Sequence, residues 1–92
     1  MSKTRAHIFI SGFVQGVGFR FFTILQARKF GVSGFVKNLR DGRVEVVTEG
    51  ESKDVKALIR CLREGPPGAN VTGVDVDWEK YEGDFSDFAV EF

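Results

Sequence analysis

The sequence is poor in residues that cross-link a chain or bind a metal. Its 92 residues include one cysteine, Cys61, and one histidine, His7. A single cysteine forms no internal disulfide, and it excludes the zinc sites that are built from cysteine pairs. Low cysteine content is typical of proteins in a reducing compartment, so we expect a cytoplasmic location.

The sequence also lacks an excess of charge and a long apolar run. Thirteen basic residues balance thirteen acidic ones, so there is no net field to attract nucleic acid or an anionic membrane. No segment approaches the roughly 18 apolar residues of a membrane span, and the N-terminus lacks the apolar core of a signal peptide. We therefore expect no nucleic-acid or membrane partner, and any anionic ligand must be bound locally.

Apolar residues, by contrast, are plentiful. They make up 42% of the chain, with ten phenylalanines, which is enough for a core without metals or cross-links. A chain of this length suits one small domain that buries roughly 60–65% of its unfolded surface. We expect a monomeric single domain over residues 1–92, with about residues 1–4 as a flexible tail.

The hydrophobic pattern predicts alternating strands and helices. The predicted helices are one over residues 19–30, ended by Gly31, and one capped by Ser52 and ended by Gly65. The predicted strands cover residues 6–13, 34–39, 43–49, 71–79 and a short tail strand, 88–92. Asp41-Gly42 predicts a hairpin turn between the second and third strands.

This order, β-α-β-β-α-β plus a tail strand, predicts an α+β, ferredoxin-like fold. Two helices would cover one face of a four- to five-stranded, mostly antiparallel sheet. Alternation places Ala6, Ile8 and Ile10 on one face of the first strand. In the strand over residues 71–79 it predicts that Val74, Val76 and Trp78 are buried, while Asp75 and its acidic neighbours are exposed.

The segment SGFVQGVGFRFF, residues 11–22, has three glycines, Gly12, Gly16 and Gly18. It leaves a strand and enters a helix, where free backbone N–H groups and the positive end of the helix dipole meet. Glycine lets the main chain approach a ligand closely, and Arg20 adds a donor suited to phosphate oxygens. The segment predicts a phosphoryl-binding loop, although any strand-to-helix connection needs turn residues whatever it binds.

Comparison with better-known phosphate loops narrows the chemistry. A nucleotide triphosphate loop requires Gly-Lys-Ser/Thr, whereas Gly18 is followed by Phe19-Arg20. A dinucleotide fingerprint requires a third glycine where the chain has Phe21. A cysteine phosphatase loop, Cys-x5-Arg, would place its cysteine at Val14. The phosphoryl group is therefore expected to bind without forming a phosphocysteine.

Topology gives the loop a partner, Asn38. In the strand order expected for this fold, 4-1-3-2, the first two strands run the same way on either side of the third, so their C-terminal ends lie roughly 10 Å apart. A carboxamide there can hold a water opposite the phosphoryl group, although asparagine before a turn is commonly a turn former. His7 lies about 20 Å from the loop along the strand, so we expect it on the sheet surface. Cys61 is expected to be partly buried.

The two segments GFVQGVGFR, residues 12–20, and GFVKNLRDGRVEVVTEG, residues 34–50, closely resemble the signature segments of the acylphosphatase family. The resemblance covers nearly the whole chain. It implies a ferredoxin-like enzyme that hydrolyses carboxyl phosphates to a carboxylate and inorganic phosphate, without a metal or other cofactor. It also implies a small acyl phosphate as substrate and inorganic phosphate as product and competitive inhibitor.

The resemblance also implies roles for individual residues. Arg20 matches the family's phosphate-binding arginine, and Asn38 matches the asparagine that orients the attacking water. The residues that match the backbone cradle of the phosphate are Gln15, Gly16, Val17, Gly18 and Phe19. Phe35 stands where many members have tryptophan, which changes packing more than chemistry.

Three alternatives share this fold. The first strand, IFISGF, is similar to the first short motif of an RNA-recognition domain, but the third strand has none of the aromatics that the second motif needs. A ligand-sensing regulatory domain would normally be attached to an enzyme, for which this chain has no room. A module of a larger carbamoyl-transfer protein is the third alternative, and the start at Met1 favours an independent protein instead.

Overall fold

The computed structural model describes residues 2–92 and has the α+β architecture that the sequence predicts. Its elements, in chain order, are β1 Lys3–Phe13, α1 Phe19–Phe30, β2 Ser33–Asn38, β3 Val44–Glu51, α2 Ser52–Glu64, β4 Asn70–Glu79 and β5 Phe88–Glu91. Within residues 2–92, neither helix is long and apolar enough to cross a membrane.

The five strands form one sheet in the order β4-β1-β3-β2-β5. All neighbouring strands are antiparallel except β2 and β5, which are parallel. Because β1 and β2 both run antiparallel to β3, their C-terminal ends lie at the same edge of the sheet. The predicted strand order and the tail strand are both confirmed.

The core lies between the helices and one face of the sheet. Ala6, Ile8 and Ile10 of β1 are fully buried on that face, as their alternation predicts. The α2 stripe at i, i+3, i+4 and i+7 packs into the same cluster through Val55, Leu58, Ile59 and Leu62. Both helices therefore cover one face and leave the other open.

The turn between β2 and β3 is also confirmed. Gly42 takes a φ of +96°, and the Leu39 N–H donates to the Arg43 carbonyl at 2.8 Å. This tight closure fixes where β2 ends, and so it fixes the position of Asn38.

Three details differ from the predictions. The first strand begins at Lys3, so Lys3 and Thr4, which we expected in a flexible tail, pair with β3; Met1 lies outside the described residues. Ser52 does not cap α2, because β3 runs directly into the helix, and the cap position is Glu51. Trp78 is 50% exposed rather than buried, since it lies near the end of the edge strand β4.

Candidate active site

The connection between β1 and α1, residues 14–18, depends on its glycines for backbone geometry. Gly16 and Gly18 have φ values of +78° and +77°. A Cβ atom at either position would meet open space, so the positive φ, and not crowding, requires glycine there. Gly12 differs, because it lies inside β1 and a Cβ there would be 2.1 Å from the Asn70 carbonyl oxygen. Gly12 thus serves strand pairing.

The loop and the first turn of α1 present unpaired donors. Within residues 2–92, the backbone N–H groups of residues 15–20 donate to no backbone carbonyl, and the first such bond is from Phe22 to Gly18. The cap residue Gly18 has no side chain to satisfy them, and the first turn of α1 contains no acidic residue. The positive end of this helix dipole is therefore uncompensated, which favours an anion.

Arg20 and Asn38 line one cavity of about 330 Å³ beside this loop. Asn38 faces it because it lies two residues after Val36, which is fully buried under the helices, and alternate strand residues share a face. The described residues around the cavity are Val14, Gly16, Gly18, Phe19, Arg20, Phe21, Ile24, Asn38, Val90 and Phe92.

The carboxamide of Asn38 has an unused acceptor. Its Oδ1 atom is buried, and it is the one buried side-chain polar atom of residues 2–92 that has no hydrogen-bond partner. A buried acceptor without a partner loses the hydrogen bond it would make in water, at about 1–3 kcal/mol. A bound water or ligand would remove that penalty, so the atom is placed to receive a donor.

Arg20 has no acidic partner that would neutralise it. Among the described residues, no carboxylate lies within 4 Å of its guanidinium, whereas four other basic or imidazole side chains have such a contact: Arg5, His7, Arg28 and Arg43. The guanidinium carbon instead lies 5.7 Å from the centre of the Phe92 ring. Its positive charge remains available to an anion in the cavity.

Gln15 ties the loop to the neighbouring hairpin. Its side-chain amide donates to the carbonyls of Leu39 at 2.7 Å and Arg43 at 3.0 Å. The side chain therefore holds the loop next to the end of β2, where Asn38 stands. Neither Gln15 nor Val17 lines the cavity with its side chain, and Val17 packs against the core. Any contact of these two residues with a phosphate would therefore be made by their backbone N–H groups.

The other side chains considered from sequence lie elsewhere. His7 is on the open face of the sheet, where its Nε2 atom is 2.6 Å from a carboxylate oxygen of Glu45. Cys61 is partly buried on α2, as expected. Neither residue lines the cavity.

Five lining residues were not among the site residues predicted from sequence: Val14, Phe21, Ile24, Val90 and Phe92. The first three lie in or beside the predicted loop and helix. Val90 and Phe92 reach the cavity because β5 pairs in parallel with β2 and so brings residues 88–92 beside Asn38. The sequence predicted a tail strand but not its partner, and an apolar tail looks the same whichever edge it joins.

A buried carboxylate on the open face anchors the segment that leads to β5. Glu49 is buried and accepts hydrogen bonds from the N–H groups of Glu82 at 2.8 Å and Asp84 at 3.0 Å, and from Arg5 at 3.1 Å. Burial alone would raise the pKa of Glu49, but these hydrogen bonds outweigh burial and hold the pKa below its ordinary value. The chain between β4 and β5 is thereby fixed.

Comparisons with known proteins identify the family. A family model for acylphosphatase matches residues 6–90. The chain is 48% identical over 92 residues to an acylphosphatase of Pelotomaculum thermopropionicum, with 100% of both chains covered. It is 51% identical over 86 residues to an acylphosphatase of an Anaeromyxobacter species, covering 94% of this chain and 92% of the relative. A solved acylphosphatase from Bacillus subtilis superposes with a TM-score of 0.94 at 32% identity, covering 97% of this chain and 99% of that one.

Proposed function

The chain belongs to the acylphosphatase family, and from this membership and the cavity geometry we propose how it hydrolyses acyl phosphates: a water held by Asn38 attacks a phosphoryl group bound by the loop and Arg20. The hydrolase activity itself follows from the family. This family membership replaces the RNA-binding and ligand-sensing alternatives, which rested on the fold and one short motif.

The phosphoryl group would be held by charge and by main-chain donors. The unpaired N–H groups of residues 15–20 and the guanidinium of Arg20 meet its three equatorial oxygens. These donors are fixed before the substrate arrives, since Gly16 and Gly18 set the loop and Gln15 holds it to the hairpin. Preorganised donors stabilise the charge that develops in the transition state.

The observation that supports a role for Asn38 is its buried, unpartnered Oδ1 atom in the wall of the same cavity. A water that donates to this oxygen is held facing a phosphoryl group at Arg20, which is the positioning that an in-line attack needs.

In the reaction, the water oxygen forms a new bond to phosphorus while the bond from phosphorus to the acyl oxygen breaks. The bonding electron pair leaves with the carboxylate, and the water proton passes to a phosphoryl oxygen. A dianionic acyl phosphate thus becomes a carboxylate and a phosphate monoanion. A carboxylate leaves without protonation, so no general acid is required.

The proposal includes no metal and no cofactor. Among the described residues that line the cavity there is no carboxylate, imidazole or thiol, the usual ligands of divalent metals in proteins. Inorganic phosphate, the product, would bind at the same donors and inhibit competitively. One chain supplies the whole cavity, so we propose that the enzyme works as a monomer, and the single cysteine agrees with a cytoplasmic location.

Hydrolysis of benzoyl phosphate by purified protein, followed by ultraviolet absorbance, tests the mechanism. Arg20→Ala should lower kcat/KM by about 10³-fold or more, since a single transition-state donor accounts for about 10²–10³ and a full charge for more. It should also abolish inhibition by inorganic phosphate. Lys29→Ala is the matched control, because Lys29 is an exposed basic residue at the other end of α1.

Asn38→Ala should separate turnover from binding. It should lower kcat by about 10²-fold while the inhibition constant of phosphate changes less than about threefold, because Asn38 contacts the water and not the phosphoryl group. A similar loss of phosphate inhibition in the Arg20 and Asn38 variants would refute the separate roles.

A further inference from the structure

We propose that the apolar side of the cavity binds the acyl group of the substrate, with Phe21 and Phe92 at its rim, so that the enzyme favours acyl phosphates with aromatic or bulky apolar acyl groups. This inference rests on the proposed function, because it assumes that the phosphoryl group occupies the polar side of the same cavity.

The cavity is larger than a phosphoryl group requires. Its volume is about 330 Å³, whereas a phosphoryl group and one water occupy the space of about three to four water molecules, on the order of 100 Å³. A volume of this size lies at the lower end of the range for small-molecule pockets, about 300–1,000 Å³. The remaining space is continuous with the phosphoryl site and suits an attached organic group.

Most of the lining is apolar. Beside Arg20 and Asn38, the described lining consists of two glycines and the apolar side chains of Val14, Phe19, Phe21, Ile24, Val90 and Phe92. Val14 and Phe19 belong to the buried core, and Ile24 and Val90 pack against it, but Phe21 and Phe92 do neither. Phe21 and Phe92 are therefore the part of the apolar wall that core packing does not explain.

Phe21 has no packing role that would explain its position. It is 67% exposed in the first turn of α1. A polar side chain at this position would lose no core packing. Side chains on a helix tilt toward its N-terminus, so Phe21 leans toward the loop that precedes α1. An exposed aromatic beside a lined cavity is typical of a ligand contact.

Phe92 connects the two sides of the cavity. Its ring centre lies 5.7 Å from the guanidinium carbon of Arg20, and its side chain is 98% exposed. A phosphoryl group at Arg20 therefore has an aromatic ring as a close neighbour, and an aromatic acyl group would bury both exposed rings. Aromatic pairs add about 0.5–1.5 kcal/mol beyond the burial of area, which is about two- to tenfold in affinity.

The charges of the lining point the same way. Among the described residues around the cavity, Arg20 is the one charged side chain, and the phosphoryl group uses it. An acyl group that carries a second negative charge would meet apolar surface without a cation, and burying an unpaired charge is unfavourable. Acyl groups with a further carboxylate should be poor substrates.

The test compares kcat/KM for benzoyl phosphate and acetyl phosphate in the parent, in Phe21→Ala and in Leu25→Ala. Leu25 is the matched control, because it is 49% exposed on the same helix but does not line the cavity. The ratio of the two substrates within each variant, divided by the ratio in the parent, cancels their different chemical reactivities.

Phe21→Ala should lower the benzoyl-to-acetyl ratio by about five- to tenfold, mainly through KM, and leave acetyl phosphate within twofold. The benzoyl-to-acetyl ratio of Phe21→Leu should lie between those of the parent and Phe21→Ala. The ratio of Leu25→Ala should equal that of the parent. Unchanged inhibition by inorganic phosphate shows that the phosphoryl site is intact in each variant. An equal loss for both substrates, or no change in the ratio, overturns the inference, whereas a parent that hydrolyses neither substrate contradicts the proposed function.

A second measurement needs only the parent enzyme. Glutaryl phosphate and pentanoyl phosphate have acyl groups of similar length, but only the first carries a further carboxylate. After correction for their uncatalysed rates, pentanoyl phosphate should have a kcat/KM at least about tenfold higher. Equal values would overturn the apolar assignment.

Discussion

Replacing Glu49 by glutamine should destabilise the fold by an amount that depends strongly on pH. The Glu49 side chain is fully buried, and its two oxygens accept hydrogen bonds from Arg5 and from the N–H groups of Glu82, Gly83 and Asp84. Glutamine keeps the size of the side chain but removes its charge and turns an N–H₂ group toward those donors. The segment that leads to β5 would lose its anchor.

The expected loss at pH 7 is about 3 kcal/mol, the lower end of the range for breaking a buried ion pair, because glutamine still offers one acceptor. For a domain of this size, each kcal/mol shifts Tm by about 4–8 °C, so Tm should fall by about 15 °C. Urea denaturation followed by circular dichroism measures both the midpoint and the slope.

The pH dependence follows from the lowered pKa of Glu49 in the folded state. The stabilisation is fully present well above the unfolded value of about 4.3, and it is lost as pH falls through the lower folded value. Within that window the parent loses about 1.4 kcal/mol per pH unit from this group. The difference between parent and Glu49→Gln should therefore be much smaller at pH 3 than at pH 7.

Glu79→Gln is the matched control for this prediction. Glu79 also accepts from Arg5, at 3.1 Å, but its side chain is 41% exposed. An exposed pair is worth at most about 1 kcal/mol. A Glu49→Gln effect no larger than the Glu79→Gln effect, or one that is equal at pH 7 and pH 3, would refute the reasoning.

Two further predictions concern the active site. Gly18→Ala should cost about 1–2 kcal/mol of stability, because alanine must hold a φ of +77° although its Cβ meets no atom. The substitution should also weaken inhibition by phosphate. An unchanged inhibition constant would mean that the loop backbone does not contact the anion. Addition of EDTA should leave kcat/KM for benzoyl phosphate within experimental error, since the described lining offers no metal-ligand set; activity that is lost with EDTA and restored by a divalent metal would contradict the metal-free proposal.

Local chemistry in the sequence was sufficient to predict most elements. The bounds of α1, residues 19–30, agree with the structure because glycines with positive φ stand at both ends, Gly18 and Gly31. The turn at Asp41-Gly42 was likewise predictable from adjacent residues alone. The start of α2 was not predictable in this way. Ser52 is a good cap residue by type, but β3 continues into the helix and places Ser52 one residue past the cap.

The chain sequence by itself determined the glycine loop, the arginine that follows it and the element order that brings the ends of β1 and β2 to one edge of the sheet. These depend on backbone preferences and on the alternation of apolar residues, which act over a few positions. Only the tertiary structure decided that the Asn38 oxygen is buried without a partner, that Glu49 anchors the last loop, and that Val90 and Phe92 complete the cavity. The physical reason is that each of these depends on pairing between segments distant in sequence, above all β2 with β5, and no local pattern specifies which edge a short apolar strand will join.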